Sequence, residues 1–293
     1  MAGGSQLNAK VSMQWLLDPL QFDFMWRALI AAVIVGMVCS VLGTYVVLRG
    51  MAFFGDALAH TILPGVVIAF LLGWPLAIGA LVFGILTAIG IGVLTEQRQL
   101  KEDTAIGVIF AGLFALGVAL LSTTGNYSVD LTHFLFGNLL AVTEADLWLI
   151  AGLATFVLFT IYLFYKEFLV ISFDEILGAT LRLPLTFLRY LLLILIAITV
   201  VIALQVVGIA LMLAMFVTPA ATASLLTRRL PTMMLVSAII GALSGVIGLY
   251  VSYYFSVASG AAVVLVATVI FMLVFLFAPR RGFVWQRRKQ VNP

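Results

Sequence analysis

Met51–Gly73 reads MAFFGDALAHTILPGVVIAFLLG, an apolar stretch of membrane length that carries an aspartate and a histidine four residues apart. Of the twelve Asp and Glu residues in the chain, Asp56 alone falls inside a hydrophobic span, and His60 is one of only two histidines. Four residues is just over one helical turn, so on a helix Asp56 and His60 share a face, one above the other. Ionisable groups at membrane depth are costly and mark pathways or sites. From the residues alone three chemistries suit the pair: contact with a divalent first-row metal ion, a structural pair that neutralises itself, and a proton relay. Pro64, four residues beyond His60, removes the hydrogen bond to the His60 carbonyl and is expected to bend the helix there.

Outward from this stretch, the whole chain is of one kind. It is 64% hydrophobic and 9% charged, with a mean hydropathy of +1.25. Its apolar runs are about 20 residues long, enough to cross a bilayer as helices. The short alternating segments of a membrane β-barrel do not occur. The fold expected is therefore all-α, a polytopic transmembrane helix bundle. Spans are placed at roughly 27–48, 52–72, 75–95, 104–122, 143–165, 186–206, 208–227, 232–254 and 260–278, nine in all, with eight as the fallback if the first segment is not a simple span. Residues 1–26 form an N-terminal extension, 27–279 the membrane domain and 280–293 a basic tail. Met1 to Arg27 lacks the apolar core and cleavage site of a signal peptide, and Trp15, Leu16, Leu17 and Leu20 read as a segment lying on the membrane surface.

The net charge of +3 is explained by placement and is not a nucleic-acid signal. Arg49, Arg98, Lys101, Lys166, Arg182, Arg189, Arg228, Arg229 and the tail RRGFVWQRRKQ fall on one set of connections, and the opposite set near Trp74, 123–142, 206–208 and 255–259 holds no Lys or Arg. By the positive-inside rule the basic set is cytoplasmic in a cell-membrane protein, with the N-terminus outside and the C-terminus inside. Lys10 and Arg27 dissent. Tyr162, Tyr165, Tyr250, Tyr253 and Tyr254 sit where interfacial belt residues do. Gly241 and Gly245 have the spacing of close helix contact. Cys39, the single cysteine, is expected to be buried and inert, and Met212 and Met215 to be core.

Two connections exceed a turn. The outer one holds Asp130 and His133, three apart, a candidate outer entry site if 130–140 is helical, although polar residues are ordinary in loops. The inner one reads KEFLVISFDEILGATLRLPLTFLR, in which Phe173, Ile176, Leu177 and Leu181 repeat at i, i+3, i+4 and i+8 as an amphipathic face. Such a face suits docking on a partner or resting on lipid headgroups. In the seventh span, Thr218-Pro219 marks a kink, with either a channel-lining or a plain packing role. No phosphate-binding Gly-x-x-x-x-Gly-Lys-Ser/Thr loop, Cys-x-x-Cys or His-Glu-x-x-His helix is present, and nothing suggests an enzyme. An ATP-driven process would need its motor on another chain.

Several of these stretches together resemble one family. LRGMAFFGDALAHTILPGVVIAFLLG, KEDTAIGVIFAGLFALG, VDLTHFLFGNLLAV, SFDEILGATLRLP, FVTPAATASLL and FAPRRG, in this order between Arg49 and Gly282, are similar to motifs of the membrane permeases of manganese, zinc and iron ABC importers. The resemblance implies a type II ABC importer-like homodimer, driven by two cytoplasmic ATP-binding subunits and supplied by an extracytoplasmic metal-binding protein. It implies no permanently bound cofactor, only the transported divalent metal. Asp56 and His60 would contact that metal in the channel. Ser172 to Pro184 would be the coupling helix resting on the ATPase, with Ser172, Phe173, Asp174, Glu175, Ile176, Leu177, Gly178, Leu181 and Arg182 as its contact residues. The full inner loop and the basic tail lean toward manganese over zinc. The rival expectation is a proton-coupled secondary metal carrier with Asp56 and His60 as the relay, for which the chain shows no convincing inverted repeat.

Overall fold

Lipid offers backbone groups no hydrogen-bond partners, so a chain this apolar satisfies its amides within helices. The computed structural model describes residues 18–96, 100–123 and 139–278, and among these residues it contains helices and no strand. Twelve α-helices follow in order: α1 Asp23–Leu48, α2 Phe54–Thr61, α3 Leu63–Leu72, α4 Leu76–Glu96, α5 Glu102–Ser122, α6 Glu144–Leu163, α7 Tyr165–Phe173, α8 Glu175–Thr180, α9 Leu185–Val207, α10 Ile209–Leu226, α11 Leu230–Phe255 and α12 Ser259–Phe277. The expected nine spans all have helices at their places, the second being divided into α2 and α3. Eight are long and apolar enough to cross a membrane. The ninth, α10, is 18 residues long, one residue shorter than α12. Gly208, at φ 76° and ψ 172°, starts it, and the extended backbone of Thr227 ends it. The first segment, on whose account eight was the fallback, is the span-length helix α1 and the most enclosed of the eight. Asp130, His133, residues 1–17 and the tail from 279 lie outside the described residues.

Helix α1 is the axis of the bundle. On one side it packs against α10 and α11, which carry α12, and on the other α9 joins it to α2 and α4, on which α3 and α5 pack. Small residues let backbones approach: a Cβ on Gly36 would stand 2.8 Å from the carbonyl oxygen of Gly241, and one on Gly241 would press on Ser40 and the Gly36 carbonyl. The Ser237 hydroxyl donates to the Ser40 carbonyl at 2.9 Å, fixing the same crossing. Replacing Gly241 by Ala is therefore expected to destabilise the bundle by about 1–3 kcal/mol, read as a lower thermal midpoint of the purified protein.

Prolines and hydroxyls are accommodated locally. Pro219 lies inside α10 and has no N–H for the Met215 carbonyl, which instead accepts a long 3.4 Å contact from the Ser40 hydroxyl. Pro64 stands just past the break at Ile62 that separates α2 from α3, as its missing N–H requires. Buried Thr61, Thr95 and Thr199 return their hydroxyls to carbonyls three or four residues earlier. Cys39, Met212 and Met215 are fully buried. Tyr162 is 81% exposed at the end of α6, as a belt residue would be.

Candidate functional site

The segment after α1 turns at Gly50, φ 72°, and enters α2 two residues before Asp56. Asp56 lies in the first turn of α2, where its carboxylate complements the helix dipole, and His60 in the last. The His60 Nε2 stands 3.7 Å from Asp56 Oδ1, too far for a direct hydrogen bond. Two donors on one cation, each about 2.1 Å from it in a tetrahedral arrangement, lie about 3.4 Å apart. The pair is therefore spaced close to what a bridging ion needs. Its side chains are 33% (His60) and 35% (Asp56) exposed, so the pair is not sealed within the chain.

Helix α5 supplies the opposite wall. The imidazole meets Phe110 and Phe114 edge-on, at 5.8 Å and 5.5 Å between ring centres, and these two rings stack on each other. Asp56 opens into a cleft of about 470 Å³ lined by Phe53, Ala57, Asp103, Ile106, Gly107 and Phe110. Nothing lies within 4 Å of where a Cβ on Gly107 would stand, so that glycine leaves the cleft its width. The neighbour of Asp103, Glu102, is held by Arg49 from the end of α1 at 2.7 Å. Among the described residues no Lys or Arg pairs with Asp103, and no group of three His, Cys, Asp or Glu side chains gathers to hold a metal. The chain thus offers two close donors and a further carboxylate along the same cleft. Sequence reasoning missed Asp103, Phe110 and Phe114. Asp103 reads as part of a polar connection, and only the packing of α2 on α5 brings it beside Asp56.

Thr218 is half-buried and Pro219 buried in α10, the Thr218 carbonyl accepting from the Thr222 hydroxyl at 2.7 Å. Neither residue lines the Asp56 cleft.

The segment 172–184 is shorter as a helix than its apolar repeat suggests. Ser172 and Phe173 end α7, the Ser172 hydroxyl donating to the Phe168 carbonyl. Asp174 is extended and accepts from the Ile176 and Leu177 amides, capping α8 and interrupting the helix. Glu175 opens α8. Gly178 is buried, with no room for a Cβ beside Leu185. The end is a Schellman turn: the Arg182 amide bonds the Ala179 carbonyl and the Leu183 amide bonds the Gly178 carbonyl. Phe173, Ile176, Leu177 and Leu181 are nevertheless all exposed, Ile176 by 71%. A second cleft of about 470 Å³ joins this segment to the α4–α5 connection, lined by Phe173, Asp174, Ile176, Lys101, Glu102 and Arg189 among others. The first turn of α5 is thus a wall common to both clefts, with Glu102 on one and Asp103 on the other.

Comparison with known proteins places this geometry in context. Residues 21–278 match the profile of the ABC 3 transport family. The manganese transport system membrane protein MntC of Listeria innocua is 47% identical over 279 residues, covering 95% of this chain and 99% of that protein. The manganese import system permease protein ScaB of Streptococcus gordonii is 42% identical over 268 residues, covering 92% and 96%. The solved structure of PsaBC from Streptococcus pneumoniae in complex with Fab superimposes with a TM-score of 0.82 at 40% identity, over 94% of this chain and 99% of that one.

Proposed function

Because the chain belongs to the ABC 3 transport family and is the membrane permease of a metal importer of that family, we propose that its cargo is manganese and that Asp56 and His60 contact the ion in transit. The observation that carries this is the 3.7 Å separation of one carboxylate and one imidazole on a shared, partly exposed side of α2. The manganese transport relatives, 47% and 42% identical, support the choice of metal. Zinc and iron are the competitors.

Two donors do not fill a coordination sphere, since manganese takes mixed oxygen and nitrogen ligands beyond two. A two-fold homodimer supplies Asp56 and His60 again from the second copy. An extracytoplasmic metal-binding protein delivers the ion to the side opposite the basic connections. Two cytoplasmic ATP-binding subunits seat against 172–184, and their closure is transmitted through the shared first turn of α5. The ion is then released inward past Asp103. Held too tightly, it would not leave, so the affinity of the site is modest.

Uptake of radioactive manganese by cells lacking the chain, complemented with it, tests this reading. Excess unlabelled manganese is expected to suppress the signal more strongly than equal zinc or iron. Proton-driven uptake by the purified chain without ATP would overturn it. Asp103→Asn is expected to slow manganese uptake about tenfold, the scale of losing a supporting contact to a metal site, with the amount of protein in the membrane unchanged. Ligation needs a neutral imidazole and an ionised carboxylate, so uptake is expected to fall on acidification. Assay of vesicles at fixed ATP and metal over a pH series checks the direction.

A further inference from the structure

Arg182 is one of two non-glycine residues among those described with a positive φ, at 56°. It occupies the left-handed position of the Schellman turn that ends α8, where glycine is the usual occupant because a Cβ is disfavoured. The turn itself needs only the backbone. A left-handed arginine is a local cost, and such costs persist where the side chain serves a purpose. That side chain is exposed, and no ion pair engages it within the described residues. The same segment exposes the apolar side chains of Phe173, Ile176, Leu177 and Leu181.

The charge pattern narrows the ligand. Between Lys166 and Arg189, Arg182 is the sole basic residue, in a stretch that also holds Glu167, Asp174 and Glu175. Recognition of anionic headgroups uses clusters of several basic residues; Lys101 and Arg189 line the cleft beside this segment, but Glu102 and Asp174 line it too and balance their charge. One guanidinium set among apolar anchors instead has the composition of a protein–protein hot spot. The planar fork matches a carboxylate in bidentate fashion. We propose that Arg182 is the specificity anchor of the docking segment, held in a left-handed turn so that its guanidinium pairs with a carboxylate on the ATP-binding subunit. This rests on the reading that 172–184 seats that subunit.

The test uses the full-length permease in nanodiscs, with and without anionic phosphatidylglycerol, and the ATP-binding subunit of its own transporter. Affinity is measured for wild type, R182G, R182N, R182K and the double variant I176S/L177S. R182G and R182N relieve the turn and remove the charge, so their thermal midpoints should not fall. Both are expected to bind the subunit at least about tenfold more weakly and to lose much of the salt dependence, while R182K retains more. If R182G binds within twofold of wild type while I176S/L177S loses binding, the docking reading stands and the role of Arg182 is refuted. If R182G loses affinity only in discs containing phosphatidylglycerol, the guanidinium serves headgroups and the proposal fails. If neither R182G nor I176S/L177S weakens binding, the docking reading falls and this inference with it.

Discussion

Replacing Asp56 by Ala is expected to abolish manganese uptake while leaving the permease in the membrane at its normal level. The carboxylate makes no hydrogen bond that holds the fold, since its nearest partner, His60, stands 3.7 Å away, and it is about one-third exposed. Its removal therefore leaves neither a cavity nor an orphaned buried partner, and with the dipole contribution lost the stability change should stay within about 1 kcal/mol. Function responds differently. Loss of a supporting contact at a metal site already costs about 10–100-fold, and in the proposed two-fold dimer a direct oxygen donor is lost from both copies at once. Uptake should fall at least that far. Asp56→Glu keeps the charge but lengthens the reach, and intermediate uptake is expected. Membrane abundance by immunoblot beside radiometal uptake separates the two effects, and wild-type transport by the Ala variant would remove Asp56 from the pathway.

The second large effect is expected at the docking segment. Ile176 and Leu177 are 71% and 49% exposed, so changing both to Ser leaves the isolated permease as stable as before. If they are buried against the ATP-binding subunit, hot-spot truncations of this kind cost enough to weaken the complex about 10–100-fold. Transport and permease-dependent ATP hydrolysis should then fall together, while metal binding to the isolated permease persists. Loss of metal binding in that variant would show the two clefts to be one site.

Much of this architecture is legible from residues because the bilayer is a strict solvent. Apolar runs of span length must be helical, and the helices stand at the nine places the runs mark. Pro64 announces the break between α2 and α3, and Gly241 announces the tight crossing with Gly36. The repeat of Phe173, Ile176, Leu177 and Leu181 reads as one helix, but the Asp174 carboxylate competes for the amides of Ile176 and Leu177 and starts a new helix instead. In the candidate site, the shared face of Asp56 and His60 follows from spacing alone. The aromatic wall and Asp103 do not, since they arrive from α5 through packing between segments some fifty residues apart.

The measurement that bears most directly on the metal pathway is anomalous diffraction from the manganese-loaded permease dimer. A single manganese peak on the two-fold axis, bounded by the Asp56 carboxylate and the His60 imidazole of both copies, is the expected result. A peak elsewhere, or both side chains turned from the axis with apolar packing in their place, would contradict it.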